Sequence, residues 1–133
     1  MEILIKRLNP NAKLPVYGRE AGPGIDLYTI ENVTILPGEK RVLSTGISMA
    51  MPVGYIGVIC GSNGMVVGDS NRVTTSVLDS GYREEIKIEI TNDGSETCIF
   101  RTDEKIAQLL VHKVEHSRLI EVEDLDGGEE NGA

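Results

Sequence analysis

Short apolar runs separated by Gly, Pro and Asn dominate the 133-residue chain. The cleanest pattern is Glu85-Ile86-Lys87-Ile88-Glu89-Ile90-Thr91, whose strict alternation predicts a strand with one face buried. Val33 to Leu36 and Lys40 to Ser44 flank Pro37-Gly38 and read as a hairpin about that turn. Tyr55 to Cys60 is nearly continuous in apolar residues, which predicts a buried strand, and Gly57 inside it signals a bulge or a close neighbour. Turn signals recur from Asn9-Pro10-Asn11 through Gly22-Pro23-Gly24 and Met51-Pro52-Val53-Gly54 to Asn92-Asp93-Gly94. Many short strands at this spacing predict an all-β sandwich, jelly roll or barrel. One stretch reads differently: residues 95–126 lack Gly and Pro, and Ile106, Leu110 and Val114 recur at helical spacing. Periodicity alone places a helix over 102–116, with Thr102 as its N-cap.

Composition sharpens this picture. With one Phe, four Tyr and no Trp, the core is expected to be Val, Ile and Leu, which suits sheets. The net charge of −8 is uneven, because six acids and no Lys or Arg lie in residues 119–133. A nearly neutral body over 1–118 and an acidic, flexible tail over 119–133 are therefore expected. No basic face is available for nucleic acid, and no apolar run suits a membrane span or a signal peptide. The expectation is a soluble, cytoplasmic protein without a nucleic-acid or membrane partner. Cys60 and Cys98 sit in apolar settings and are expected to be reduced thiols. His112 and His116 read as surface histidines rather than metal ligands, and no dedicated metal site is expected.

Four segments carry more than patterning. Ala21-Gly22-Pro23-Gly24-Ile25-Asp26-Leu27 resembles the first motif of the dUTP diphosphatase (dUTPase) family, Ala-Gly-x-Asp-Leu, with an insertion between the Gly and the Asp. Pro52 to Ile59 fits the approach to the second motif, and Thr75-Ser76-Val77-Leu78-Asp79-Ser80-Gly81-Tyr82-Arg83-Glu84-Glu85-Ile86 resembles the third. Thr102 to Leu109 is similar to the fourth, Gly-Asp-Arg-Ile-Ala-Gln-Leu. The resemblance runs in family order over residues 1–115. It implies a distorted jelly roll, or β-clip barrel, of mostly antiparallel strands, assembled as a homotrimer, and it turns 102–114 into strand. It also implies hydrolysis of dUTP to dUMP and pyrophosphate with Mg²⁺ held mainly through the substrate's phosphates. On the same resemblance Asp79 orients the attacking water, and Tyr82 lies beneath the deoxyribose. Asp26 supports the sugar and phosphate site, and Ser62, Asn63, Lys105 and Gln108 face the phosphates. Backbone groups of a hairpin around Val73 to Val77 read the uracil.

The chain departs from that pattern in one direction. Gly61 stands where the second motif has Arg, Lys105 replaces an Arg, and Glu84 replaces a Gly. In place of the fifth motif stands Gly127-Gly128-Glu129-Glu130-Asn131-Gly132, with Glu129 where Phe belongs. A lost guanidinium in an anion site removes a bidentate, permanent charge. Arg72, Arg83 and Arg101 are candidates to replace it. Two alternatives follow: a catalytically silent dUTPase-like trimer with a structural, binding or regulatory role, and a dCTP deaminase-type activity using Glu89. Motif-altered compact members of this kind would suit a virus or prophage.

Overall fold

The computed structural model describes residues 1–19, 22–61 and 71–126. Among these the chain forms twelve strands and no helix longer than one turn. They are β1 (Leu4–Arg7), β2 (Val16–Tyr17), β3 (Gly24–Tyr28), β4 (Val33–Ile35), β5 (Lys40–Ser44) and β6 (Ile47–Ala50). The second half holds β7 (Tyr55–Cys60), β8 (Asn71–Val73), β9 (Ser76–Leu78), β10 (Lys87–Asn92), β11 (Cys98–Phe100) and β12 (Lys105–Lys113). Every pairing is antiparallel, in the sheets β1-β6, β5-β10-β8, β11-β4 and β2-β3-β12-β7-β9. Few of these pairs are consecutive in sequence, as a jelly roll requires, and the fold is of that distorted, antiparallel kind.

The strand predicted over 85–91 forms as β10, with Ile86, Ile88 and Ile90 buried and Lys87 exposed. The predicted hairpin at Pro37-Gly38 does not form. Its turn exists, with Gly38 at φ +77° and the Glu39 amide donating to the Leu36 carbonyl at 2.9 Å. The flanking strands, however, leave in different directions: β4 pairs β11, and β5 pairs β10. The turn is a corner between sheets, because each strand finds a better apolar partner elsewhere.

The helical reading of 102–116 is replaced by β12, the central strand of the largest sheet, lying between β3 and β7. A register irregularity between Lys105 and Ala107 turns both Ile106 and Ala107 inward, and this breaks the alternation that would have marked a strand. Thr102 caps no helix; its amide donates to Asn32 Oδ1 at 3.0 Å. β7 is less buried than its run of apolar residues predicts, with only Gly57 and Ile59 fully covered. Gly57 does have a close neighbour rather than a bulge, since a Cβ there would lie 3.0 Å from Leu109 Cδ1.

The core is built of Ile and Leu around the single Phe, Phe100, which is fully buried. Valine was expected in it and, among the described residues, none is fully buried; Val33, Val73 and Val111 pack only partly against the core. Neither cysteine forms a disulfide, and His112 and His116 are both exposed. Burial pushes the Cys98 thiol up, against the opposite effect of the Asn71 amide, which donates to Sγ at 2.9 Å. A thiol so protonated is a packing group, not a nucleophile. No helix among the described residues is long and apolar enough to cross a membrane. The last strand ends at Lys113, and after the Val114 amide, which donates to the Gly54 carbonyl at 2.8 Å, the described chain runs on to 126 outside any strand, exposing Leu119, Ile120 and Leu125.

Candidate active site

Two groups of side chains stand out, and both sit on the five-stranded sheet. The first is assembled across strands. Asp26 on β3 lies opposite Gln108 on β12, which in turn lies opposite Cys60 on β7. Lys105, at the start of β12, reaches back to Asp26 with Nζ 3.0 Å from Oδ1. The Asp26 side chain is 12% exposed and that of Lys105 35%, so the pair is partly shielded from water. Burial pushes the neighbouring Tyr28 phenol up, and the charge of Asp26 pushes it further. The Gln108 side-chain amide donates to the Gly61 carbonyl at 3.3 Å and approaches Cys60 Sγ at 3.8 Å, closing the gap between β12 and the end of β7.

Glycine makes this packing available. A Cβ on Gly18 would fall 2.5 Å from Asp26 Oδ2, and one on Gly24 would collide with Gln108 Oε1. The result is a polar cleft of about 520 Å³ lined by Gly18, Arg19, Gly22–Gly24, Asp26, Lys105 and Gln108. Sequence reasoning found Asp26, Lys105 and Gln108 and missed Arg19. The only signal was its place three residues before Gly22-Pro23-Gly24.

The second group is local. Asp79 follows β9 directly and opens a turn in which the Tyr82 amide donates to the Asp79 carbonyl at 3.1 Å. The Tyr82 hydroxyl donates to the Glu85 carbonyl at 2.9 Å, which fixes the ring, yet the residue stays 36% exposed. Arg83 Nη1 donates to the Ser80 and Tyr82 carbonyls at 2.7 and 2.9 Å. Asp79 and Glu84 are exposed. The turn therefore presents a carboxylate and an aromatic face to whatever approaches it.

These groups do not meet within one chain. Leu78 lies opposite Gly57 on β7, so Asp79 falls beside Ile56, four residues along β7 from Cys60, which is level with Gln108 and Asp26. With a rise of about 3.3 Å per residue and strands about 4.8 Å apart, Asp26 and Asp79 are roughly 20 Å apart on the sheet lattice.

The remaining candidates are placed as follows. Arg72 is held by Asp93, Nε to Oδ2 at 2.9 Å, on the three-stranded sheet. Arg101 is exposed, at the start of a turn closed by the Glu104 amide donating to its carbonyl at 3.0 Å. Glu89 is engaged, accepting from Thr74 Oγ1 at 2.6 Å and lying 4.0 Å from Lys40 Nζ. Val73 to Val77 is not a hairpin: β8 pairs β10 and β9 pairs β7, so the segment crosses between sheets. Ser62, Asn63 and Gly127 to Gly132 lie outside the described residues. Among the described residues no group of three or more His, Cys, Asp or Glu gathers to hold a metal.

The dUTPase family profile matches residues 10–132, nearly the whole chain. The chain belongs to the dUTPase family. Its dUTPase relatives include the deoxyuridine 5′-triphosphate nucleotidohydrolase of Nocardia farcinica, 39% identical over 127 residues, covering 93% of this chain and 77% of the relative. That of Clostridium kluyveri is 34% identical over 134 residues, covering 97% and 94%. Among solved structures, the dUTPase of Staphylococcus bacteriophage 80alpha with dUpNHpp superposes with a TM-score of 0.83 at 23% identity, covering 92% of this chain and 89% of that one. The dUTPase of S. aureus phage phi11 gives 0.84 at 23% identity, covering 93% and 97%. At that identity the phage structures establish the fold.

Family membership also explains a strained turn. Asp103, in the turn closed by Arg101 and Glu104, has φ +71°, the one positive φ at a non-glycine among the described residues. The dUTPase fourth motif begins with Gly, the residue that takes this conformation without cost, and Asp is among the few that tolerate it.

Proposed function

We propose that this chain hydrolyses dUTP to dUMP and pyrophosphate, at sites that two copies of the chain complete together. The observation that carries the reading is the Asp79–Tyr82 turn, kept exposed and braced by backbone bonds in a chain of the dUTPase family. Asp79 accepts a hydrogen bond from a water in line with the α-phosphorus and takes its proton as attack proceeds. The water oxygen forms the new bond to phosphorus, the bond to the bridging oxygen breaks, and pyrophosphate leaves. The Tyr82 ring supports the deoxyribose, leaving no room for a 2′-hydroxyl. Asp26, Lys105 and Gln108, with Ser62 and Asn63, position the phosphate chain.

Magnesium fits this donor set as a companion of the substrate, because the described residues offer isolated carboxylates rather than a cage. Bound with the triphosphate it would neutralise charge developing on the phosphates. A structure of the phi11 phage dUTPase is described with a structural Mg(II) ion.

Separation of the two groups supports assembly. A nucleotide that needs Asp79 and the Asp26 cleft draws them from different copies, and a closed ring of identical head-to-tail interfaces supplies one such site per interface. The ring proposed is one of three copies, as the family resemblance implies. Exposed apolar residues on the segment 114–126 outside any strand, among them Leu119 and Leu125, fit a contact with a neighbouring copy. The substrate is a soluble nucleotide, and a cytoplasmic location is part of the proposal.

The test is pyrophosphate release from dUTP, dCTP, dTTP and UTP, each with Mg²⁺ and again with EDTA. Metal-dependent turnover confined to dUTP is expected. Turnover of none, at enzyme concentrations far above trace contamination, would move the chain to a binding or structural role; ammonia release from dCTP would move it to deamination.

A further inference from the structure

We propose that Arg19 is the phosphate-binding arginine of this chain, standing in for the second-motif arginine it lacks; the inference rests on the dUTP reading above. Arg19 and Lys105 are the two cations that line the polar cleft. Lys105 is committed to Asp26 at 3.0 Å, and the two charges cancel. Arg19 is in none of the ion pairs between described residues, so among the described residues that line the cleft it alone leaves a net positive charge.

The other candidate arginines are engaged or elsewhere. Arg72 is paired with Asp93, Arg83 donates to carbonyls of its own turn, and Arg101 does not line the cleft. Arg19 is also anchored where it stands. Its carbonyl accepts the Gly22 amide at 2.9 Å, and a Cβ on Gly22 would come within 3.2 Å of both that carbonyl oxygen and Arg19 Cβ, so glycine at 22 leaves the turn room to close against the base of the Arg19 side chain. The planar fork thus faces a cleft that also offers the Gln108 amide and glycine backbone. That combination suits the phosphate chain of a nucleotide, because a guanidinium grips two phosphate oxygens at once.

The experiment titrates the full-length wild type, R19Q and R19K with dUpNHpp and with inorganic tripolyphosphate, alongside thermal melts. R19Q is expected to weaken dUpNHpp and tripolyphosphate binding by about 10- to 100-fold with an unchanged melting temperature. R19K is expected to recover part of the loss, through charge without the fork. Equal affinity of R19Q and wild type for both probes overturns the proposal, as does a comparable loss in R83Q or R101Q with R19Q intact. Failure of the dUTP reading is distinguishable. Wild type would then bind tripolyphosphate through Arg19 without binding dUpNHpp any more tightly, whereas no tripolyphosphate binding at all overturns the Arg19 assignment itself.

Discussion

The two ends of the five-stranded sheet are built on opposite plans. At one end Asp26, Lys105 and Gln108 come from β3 and β12 and depend on tertiary pairing, on a partly buried ion pair and on two glycines that leave space for the side chains. At the other end Asp79 and Tyr82 sit within four residues and are held by backbone bonds of their own turn. The cleft is assembled by packing between strands; the turn is assembled by its own backbone. Damage should therefore spread differently: at the turn it should reach chemistry alone, and at the packed Asp26–Lys105 pair of the cleft it should reach stability as well.

The sharpest way to break the comparison is to ask whether the two ends serve the same site. D79N removes the carboxylate proposed to orient the water and is expected to lower kcat by about 10²- to 10⁴-fold, with stability unchanged because the residue is exposed. Q108A is expected to be similarly impaired through loss of phosphate positioning. Unfolded together in equal amounts and refolded, the two inactive variants are expected to recover about a quarter of wild-type activity, since random mixing completes about one site in four when each site draws on two copies. Refolded mixtures as inactive as either variant would mean that one chain carries the whole site.

A smaller effect separates the ends by stability. K105M leaves the Asp26 carboxylate without its partner, and removing one member of a shielded pair costs more than the pair contributes. Because Lys105 is about one-third exposed, the expected loss is about 1–3 kcal/mol, below the value for a fully buried pair. The double variant D26N/K105M, which removes the stranded charge, is expected to be more stable than K105M. Urea denaturation of both checks this, and a double variant weaker than K105M would show that Asp26 is held by packing rather than by charge.

The same contrast decides what the sequence made legible. The Asp79–Tyr82 turn was readable as a turn because its structure is local: a short run carries the carboxylate, the aromatic ring and the turn residues together. The alternation of 85–91 was readable because β10 buries one face. Arg19 was not, since it enters the cleft only through the folding of β2 against β3, which no spacing encodes. β12 was misread by periodicity because its irregularity at Ile106 buries two successive residues, and only the motif resemblance restored it as a strand. The Pro37-Gly38 hairpin failed for a related reason. A turn residue fixes local backbone, while the partner of each flanking strand is chosen by long-range packing.

Asp103 links the two levels. Its φ of +71° is dictated by the turn from Arg101 to Glu104, which swings the chain into β12 and so aims Lys105 at Asp26. A left-handed conformation costs most L-residues about 1–2 kcal/mol, and Asp somewhat less. D103G relieves that strain but gives back part of the gain through the entropy of the unfolded chain. The expected net effect is stabilisation by about 0.5 kcal/mol, or roughly 1–2 °C in Tm for a domain of this size, with activity unchanged. D103A, which lacks the tolerance of Asp for this conformation, is expected to be less stable than the wild type. If calorimetry ranked D103A level with D103G, the turn would be setting no backbone demand at this position, and the placement of Lys105 would have to come from strand pairing alone.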